Sequence, residues 1–132
     1  MEWNNKYAIG IPEIDEQHKV LFACIERLEA PADAQQHGLS MYYVMEQLKD
    51  FVRIHFAVEE IVMRLFDYPE LEAHAAEHRA FSAKIEALEK DELSHEVHIQ
   101  VGKFLREWLL RHVMVSDKHY AAYILGKGVL PD

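Results

Sequence analysis

The sequence predicts an all-α protein: an antiparallel up-down-up-down four-helix bundle with a short C-terminal helix. Apolar residues recur with 3–4 spacing through four long segments. No segment alternates as a strand would, and none is repetitive or of low complexity. The connections between segments are short, which sets successive helices antiparallel. A chain of 132 residues, half hydrophobic and 11% aromatic, suits one domain with one core and is too apolar for disorder. Residues 1–132 are therefore read as a single domain.

The first helix carries Ile11, Ile14, His18, Leu21, Ile25 and Leu28 on one face, with Phe22 beside them. Pro12 and Glu13 suit its start, because proline loses no bond there and an acid meets the positive end of the helix dipole. Ala30-Pro31 ends it, and a polar loop through Gln35, Gln36, His37 and Gly38 leads to Ser40, the expected cap of the second helix. That helix reads Met41, Val44, Leu48, Val52, His55, Glu59, Val62 and Phe66, and stops near Asp67-Tyr68-Pro69. Pro69 is expected to open the third, which reads Leu71, His74, His78, Phe81, Ile85 and Leu88. Ser94 is the expected cap of the fourth, which reads Val97, Val101, Phe104, Trp108 and His112, with Leu105 alongside. A final helix is expected over about Asp117 to Leu125, before Gly126 and Gly128. Gly102 within the fourth helix either permits close helix approach or is a local cost.

Charge and composition exclude several classes. A net charge of -9 argues against nucleic acid or an anionic membrane as partner. No basic region followed by an apolar run marks a signal peptide, and no stretch approaches a membrane span. The single Cys24 excludes an internal disulfide or a zinc finger, and is expected to be an inert core or boundary residue. A soluble cytoplasmic protein is expected. No apolar stripe stands out beyond the seam, so a monomer or weak oligomer is expected.

The informative residues are His18, His55, Glu59, His74, His78, His112 and Asp117. Six of the seven fall on seam positions that the pattern otherwise gives to Leu, Ile, Val or Phe. His55 and Glu59, and His74 and His78, are four apart and share a helix face. A lone seam histidine is ordinarily a hydrogen-bonded core residue. Seven ligand-type side chains facing inward from four helices cost stability unless something binds them. Structural zinc takes four ligands and favours sulfur, catalytic zinc takes three and water, and calcium and magnesium take oxygen. Imidazole with carboxylate suits iron, manganese or another first-row metal, and two ions share seven ligands best. If both carboxylates and one solvent-derived oxide or hydroxide bridge two octahedral irons, five histidines divide three and two. One iron is then saturated and the other keeps one open position, suited to a small diatomic ligand such as dioxygen. The only E-x-x-H, Glu92 to His95, lies at the third-to-fourth helix junction and is read as a coincidence.

The blocks Trp3, Gly10-Ile11, Ile14-Asp15-Glu16-Gln17-His18, His55-Phe56-Ala57-Val58-Glu59-Glu60 with Met63, Tyr68-Pro69, His74/His78/Phe81, and Trp108, His112, Asp117 and Tyr120 follow in order along essentially the whole chain. This ordered set resembles the hemerythrin family, specifically the single-domain bacteriohemerythrins. The resemblance implies two iron ions with a bridging oxide or hydroxide. It implies His74, His78 and His112 on the saturated iron, His18 and His55 on the other, and Glu59 and Asp117 as bridges. It further implies a non-enzymatic protein that binds dioxygen reversibly as carrier, store or delivery module. Two other roles stand beside this one: a module sensing oxygen, nitric oxide or redox state through a client protein, and a di-iron protein for iron handling or for removing peroxide or nitric oxide.

The gap from His112 to Asp117 is awkward. In a regular helix Asp117 sits about 140° around from His112, so a π-type widening near Val115-Ser116 is expected to swing it inward. Asp15, Glu60 and Glu77 adjoin ligands but point to other faces, and are expected on the surface rather than bonded to the ligand rings. Ile14, Phe22, Ile25, Phe56 and Trp108 are the expected apolar wall of the pocket. His37, His95, His98 and His119 are expected to be solvated.

Overall fold

The computed structural model describes residues 3–29, 39–89 and 95–126. The expected cap Ser94, the loop histidine His37 and Glu92 lie outside these, as do the side chains of Ser40, His95 and His98. A 3-10 turn at Asn5–Tyr7 leads into α1 (Pro12–Glu29), followed by α2 (Leu39–Leu65), α3 (Leu71–Glu89) and α4 (His95–Arg111). A π-helical stretch, His112–Asp117, runs on into α5 (Lys118–Gly126). In the four-helix bundle α1 packs on α2 and α4, and α3 completes the ring against the same two helices. No strand occurs among the described residues, and no helix there is long and apolar enough to cross a membrane.

The seam read from the sequence forms most of the core, but on α2 the buried row also takes in Met45 and Met63, while Val62 and Phe66 are only partly buried. Ile14, Phe22, Ile25, Leu28, Val44, Met45, Leu48, Met63 and Val101 are at most 2% exposed. Burying each such aliphatic side chain is worth about 1.5–3 kcal/mol, so the bundle is held mainly by this stripe. On α4 the deeper row is Val101, Leu105, Leu109 and His112, while Phe104 and Trp108 are only partly buried. Cys24 is half-buried and its thiol is pushed up by burial, which keeps it protonated.

Helix starts differ from expectation at two places. α2 already begins at Leu39, so Ser40 lies inside its first turn rather than capping it. α3 begins at Leu71, because Pro69 and Glu70 still form a turn closed by the Leu71 amide on the Tyr68 carbonyl, just after a first turn in which Asp67 takes φ 54. The chain reverses within those few residues, and the turn geometry delays the helix past the proline. A third difference concerns the surface. Ile54, Ile61 and Leu65 form an exposed apolar row on α2, at 54%, 55% and 73% exposure. The row lies beside the seam at the same helical period, so in sequence it merges with the seam.

Two glycines are required by their surroundings. Gly10 has φ 93, a region unfavourable to any residue with a Cβ. Asp15 fixes this entry to α1 by accepting the amides of Ile9 at 2.8 Å and Gly10 at 3.4 Å. Gly102 faces α1: a Cβ there would lie 2.9 Å from Glu29 Cγ and 3.4 Å from Leu28 Cβ. Its role is thus the close approach of α1 and α4, at the expense of helix propensity. Gly102→Val should destabilise the fold by about 1–3 kcal/mol through overpacking. A urea midpoint equal to or above that of the wild type would show that the interface yields freely.

Candidate metal centre

The bundle brings all seven candidate residues to one level. α1 supplies His18, α2 supplies His55 and Glu59, α3 supplies His74 and His78, and the π stretch supplies His112 and Asp117. None is more than 3% exposed. Ligand-type atoms of Glu59, His74, His78, His112 and Asp117 lie within 4.8 Å of one another, as do those of His18, His55 and Glu59. The five imidazoles therefore fall into a group of three and a group of two, with Glu59 common to both.

Asp117 reaches the site through the widened turn. The Lys118 amide bonds back five residues to the carbonyl of Val113, and this i→i−5 pattern brings residues five apart onto one face. The widening spans all of His112–Asp117, more than the two residues around which it was expected. Asp117 then lies between the two groups: Oδ1 is 3.0 Å from Nε2 of both His74 and His112, and Oδ2 is 3.1 Å from Nε2 of His18. Glu59 is divided in a similar way. Its Oε1 lies 3.1 Å from Nε2 of His78 and 3.7 Å from Nε2 of His55. Its Oε2 is 3.7 Å from Nε2 of His18 and accepts the Tyr120 hydroxyl at 2.8 Å.

The outer edges of three rings are tied down. Gln17 Oε1 lies 2.6 Å from Nδ1 of His55, Glu60 Oε2 2.8 Å from that of His78, and Glu77 Oε1 2.9 Å from that of His112. Ser116 donates to Glu77 at 2.8 Å and holds it in turn. Such contacts leave Nε2 facing inward and fix the plane of the ring. Phe56 lies flat on His78, with centroids 3.8 Å apart, and Trp108 on His112 at 4.2 Å.

Expectation and structure part company over Glu60 and Glu77, which bond ligand rings instead of pointing only into solvent. Each is the sequence neighbour of an inward residue, Glu59 or His78, and so lies about 100° around its helix. That direction is the groove beside the next helix, where the ring edge of a ligand is waiting. Gln17, Ser116 and Tyr120 behave in the same way, each bonding a residue on a different element, which no local spacing encodes. Their sequence signal was adjacency, or one turn of separation, to an inward residue. Asp15 caps the entry to α1 and touches no ligand ring. Of the histidines expected to be solvated, His119 is exposed, but its Nδ1 lies 2.6 Å from the Tyr68 hydroxyl and 3.0 Å from Glu70 Oε2.

The electrostatics favour a bound cation. His18 Nε2, Glu59 Oε1, His74 Nε2 and both oxygens of Asp117 are buried without a hydrogen-bond partner, which is costly in an apolar interior. Burial opposes the charged form of His18 and His74, yet the carboxylates of Asp117 and Glu59 beside them raise His18 to about 9 and His74 to about 8. Burial is likewise overcome at His112, where Asp117, Glu59 and Glu77 raise it to about 11. At His55 burial prevails, helped by neighbouring His18, and lowers it to about 4. Burial would raise both carboxyls, but the surrounding imidazoles hold Glu59 and Asp117 below the usual carboxylate range. Burial and Glu59 push the Tyr120 phenol far up, so it remains a neutral donor. Two carboxylates, five imidazoles and unpartnered donor atoms facing a common volume fit first-row metal ions.

Comparison with known proteins agrees with this geometry. Residues 9–124 match the hemerythrin HHE cation binding domain family. The chain is 30% identical over 128 residues to a hemerythrin-like protein of Naegleria gruberi, covering 97% of this chain and 92% of the relative. It is 28% identical to a bacteriohemerythrin of Methylococcus capsulatus, covering 91% and 93%. A wild-type hemerythrin crystal structure superposes with a TM-score of 0.76 at 27% identity, over 92% of this chain and 95% of the other.

The shifted histidines set a pH dependence for chelator-treated protein. His18, His74 and His112 titrate at about 9, 8 and 11, above the ordinary 6.5, so the native chain binds more protons than the unfolded chain between those limits. Their contribution is complete below 6.5 and is lost as pH rises through these values. The melting temperature of the metal-free protein is expected to fall from about pH 7 to about pH 9. A rise over that window, followed by circular dichroism, would contradict the cluster's electrostatics.

Proposed function

The chain belongs to the hemerythrin family, and from that premise we propose that it is a di-iron protein that binds dioxygen reversibly, as carrier, store or delivery module. The observation that carries the proposal is the three-and-two division of five buried imidazoles around two shared carboxylates. His74, His78 and His112 would hold one iron, His18 and His55 the other, and Glu59 and Asp117 would span both. When bound, two ferrous ions supply the two electrons by which dioxygen is held and released.

The chain's own residues then do three things. Gln17, Glu60 and Glu77 orient His55, His78 and His112 by taking their outer ring nitrogens. Tyr120 holds Glu59 through its Oε2. Apolar side chains exclude water: Phe56 and Trp108 cover the three-histidine group, and Ile14 and Phe22 flank His18 one turn to either side on the buried face of α1. The His18–His55 side has one imidazole fewer and is walled by such residues, which supports binding of a small neutral ligand over acid–base turnover. On this reading the protein is a binding protein rather than an enzyme.

Anaerobic reconstitution with ferrous ion is expected to give two irons per chain, with a visible spectrum that appears on adding oxygen and reverses on its removal. One iron per chain, or steady turnover well above autoxidation, would contradict the proposal. Glu77→Ala is expected to weaken iron binding about 10–100-fold by freeing the His112 ring. Unchanged affinity by competition with a chelator would show that this contact orients nothing.

A further inference from the structure

Among the described residues, one surface pocket reaches His78 and another His74, and they differ in charge and in what closes them. The larger, about 700 Å³, lies between α2 and α3 and ends on His78. Phe56 lies flat on that ring and Glu60 holds its outer nitrogen, so the floor is shut. Lys49, Arg53 and Arg79 line this pocket among its acids, and a cation gains little there. The smaller pocket, about 240 Å³, opens between the start of α3 and the π stretch. Its ionisable lining groups are Glu70, Glu77, His119, Tyr68 and, at its inner wall, His74, with no lysine or arginine.

We propose that this smaller pocket is the port through which a divalent cation reaches the buried centre. Glu70 and His119 are its outer ligands, and His74 is the side chain that passes the cation inward. The inference rests on the metal-binding reading above. Glu70 Oε2 and His119 Nδ1 lie 3.0 Å apart at the mouth, both exposed, and offer the oxygen and nitrogen that first-row metals take. Glu77, on the same pocket, carries the charge inward and touches the ligand His112.

His74 connects the two spaces. It is only 3% exposed, lines the pocket, and its Nε2 has no hydrogen-bond partner while lying 3.0 Å from Asp117 Oδ1. It also differs from the other two rings of its group. His78 and His112 are each tied at Nδ1 by a carboxylate and covered by a stacked aromatic ring. Among the described residues His74 has neither restraint, and its ring neighbours His78, His112 and Tyr120 meet it edge-on. It is the ring of this group that can turn between port and centre without breaking a hydrogen bond to a carboxylate outside the centre. The negative mouth raises the local cation concentration and the rate of capture.

The test is the rate of anaerobic ferrous-ion uptake by chelator-treated, full-length protein, followed as loss of free ferrous ion. Glu70→Gln combined with His119→Gln should slow uptake by about tenfold or more and leave the final iron content unchanged. Ala73→Trp, which fills the mouth without changing its charge, should slow it as well. Added salt should slow the wild type more than the double variant. Glu86→Gln, on the larger pocket, should load at the wild-type rate. Wild-type rates in both port variants, or an equal slowing by Glu86→Gln, would overturn the port. A wild-type endpoint without stoichiometric iron would instead overturn the metal reading beneath it, and the endpoint is read separately from the rate.

Discussion

Both oxygens of Asp117 lie in the middle of an apolar bundle, each 3.0–3.1 Å from imidazole nitrogens and neither with a hydrogen-bond partner. Much of the structure follows from keeping that carboxylate there. α4 gives up regular geometry over His112–Asp117 so that a residue five along shares a face with His112. α1 and α4 approach closely at Gly102, and beyond the end of α4 Asp117 Oδ2 lies 3.1 Å from Nε2 of His18 on α1. The polar centre is a cost to the fold taken alone, since apolar residues at these seam positions would pack without desolvation. What justifies it chemically is a set of cations that the donors can share.

The layer behind the ligands follows a rule of adjacency. Gln17 follows Glu16 and precedes His18 on α1, yet holds His55 on α2. Glu60 follows Glu59 on α2 and holds His78 on α3, and Glu77 precedes His78 on α3 and holds His112 after α4. Each helix thus orients a ligand of the next, because a residue one position from an inward side chain points into the groove between helices. The rings are positioned by the bundle's assembly, and a shift of one helix disturbs ligands on its neighbour. His18 and His74 stand outside this relay, and His74 borders the pocket between the start of α3 and the π stretch.

This rule explains what could be read from the sequence. The four helices, their seam and the convergence of the seven residues were legible because 3–4 periodicity and i, i+4 pairs report directly on one helix face. The widened turn was legible too, because five-residue spacing conflicts with a regular helix. The supports of His55, His78 and His112 were not, since each lies on a different helix from the ring it serves and no local spacing encodes that contact. Ser40 and Pro69 misled about helix ends because a cap or a proline marks a boundary only to within a residue or two. The apolar row of Ile54, Ile61 and Leu65 was hidden by its closeness to the seam in both position and period.

Five imidazoles divide three and two around two carboxylates, and on the proposed reading that division would leave one metal of a pair a protein ligand short. The most direct test is to titrate the iron-loaded, oxidised protein with azide, a small anion that binds open iron positions, and to count azide per iron. Saturation is expected at one azide for each pair of irons. Saturation at two, or no binding at all, would contradict that reading.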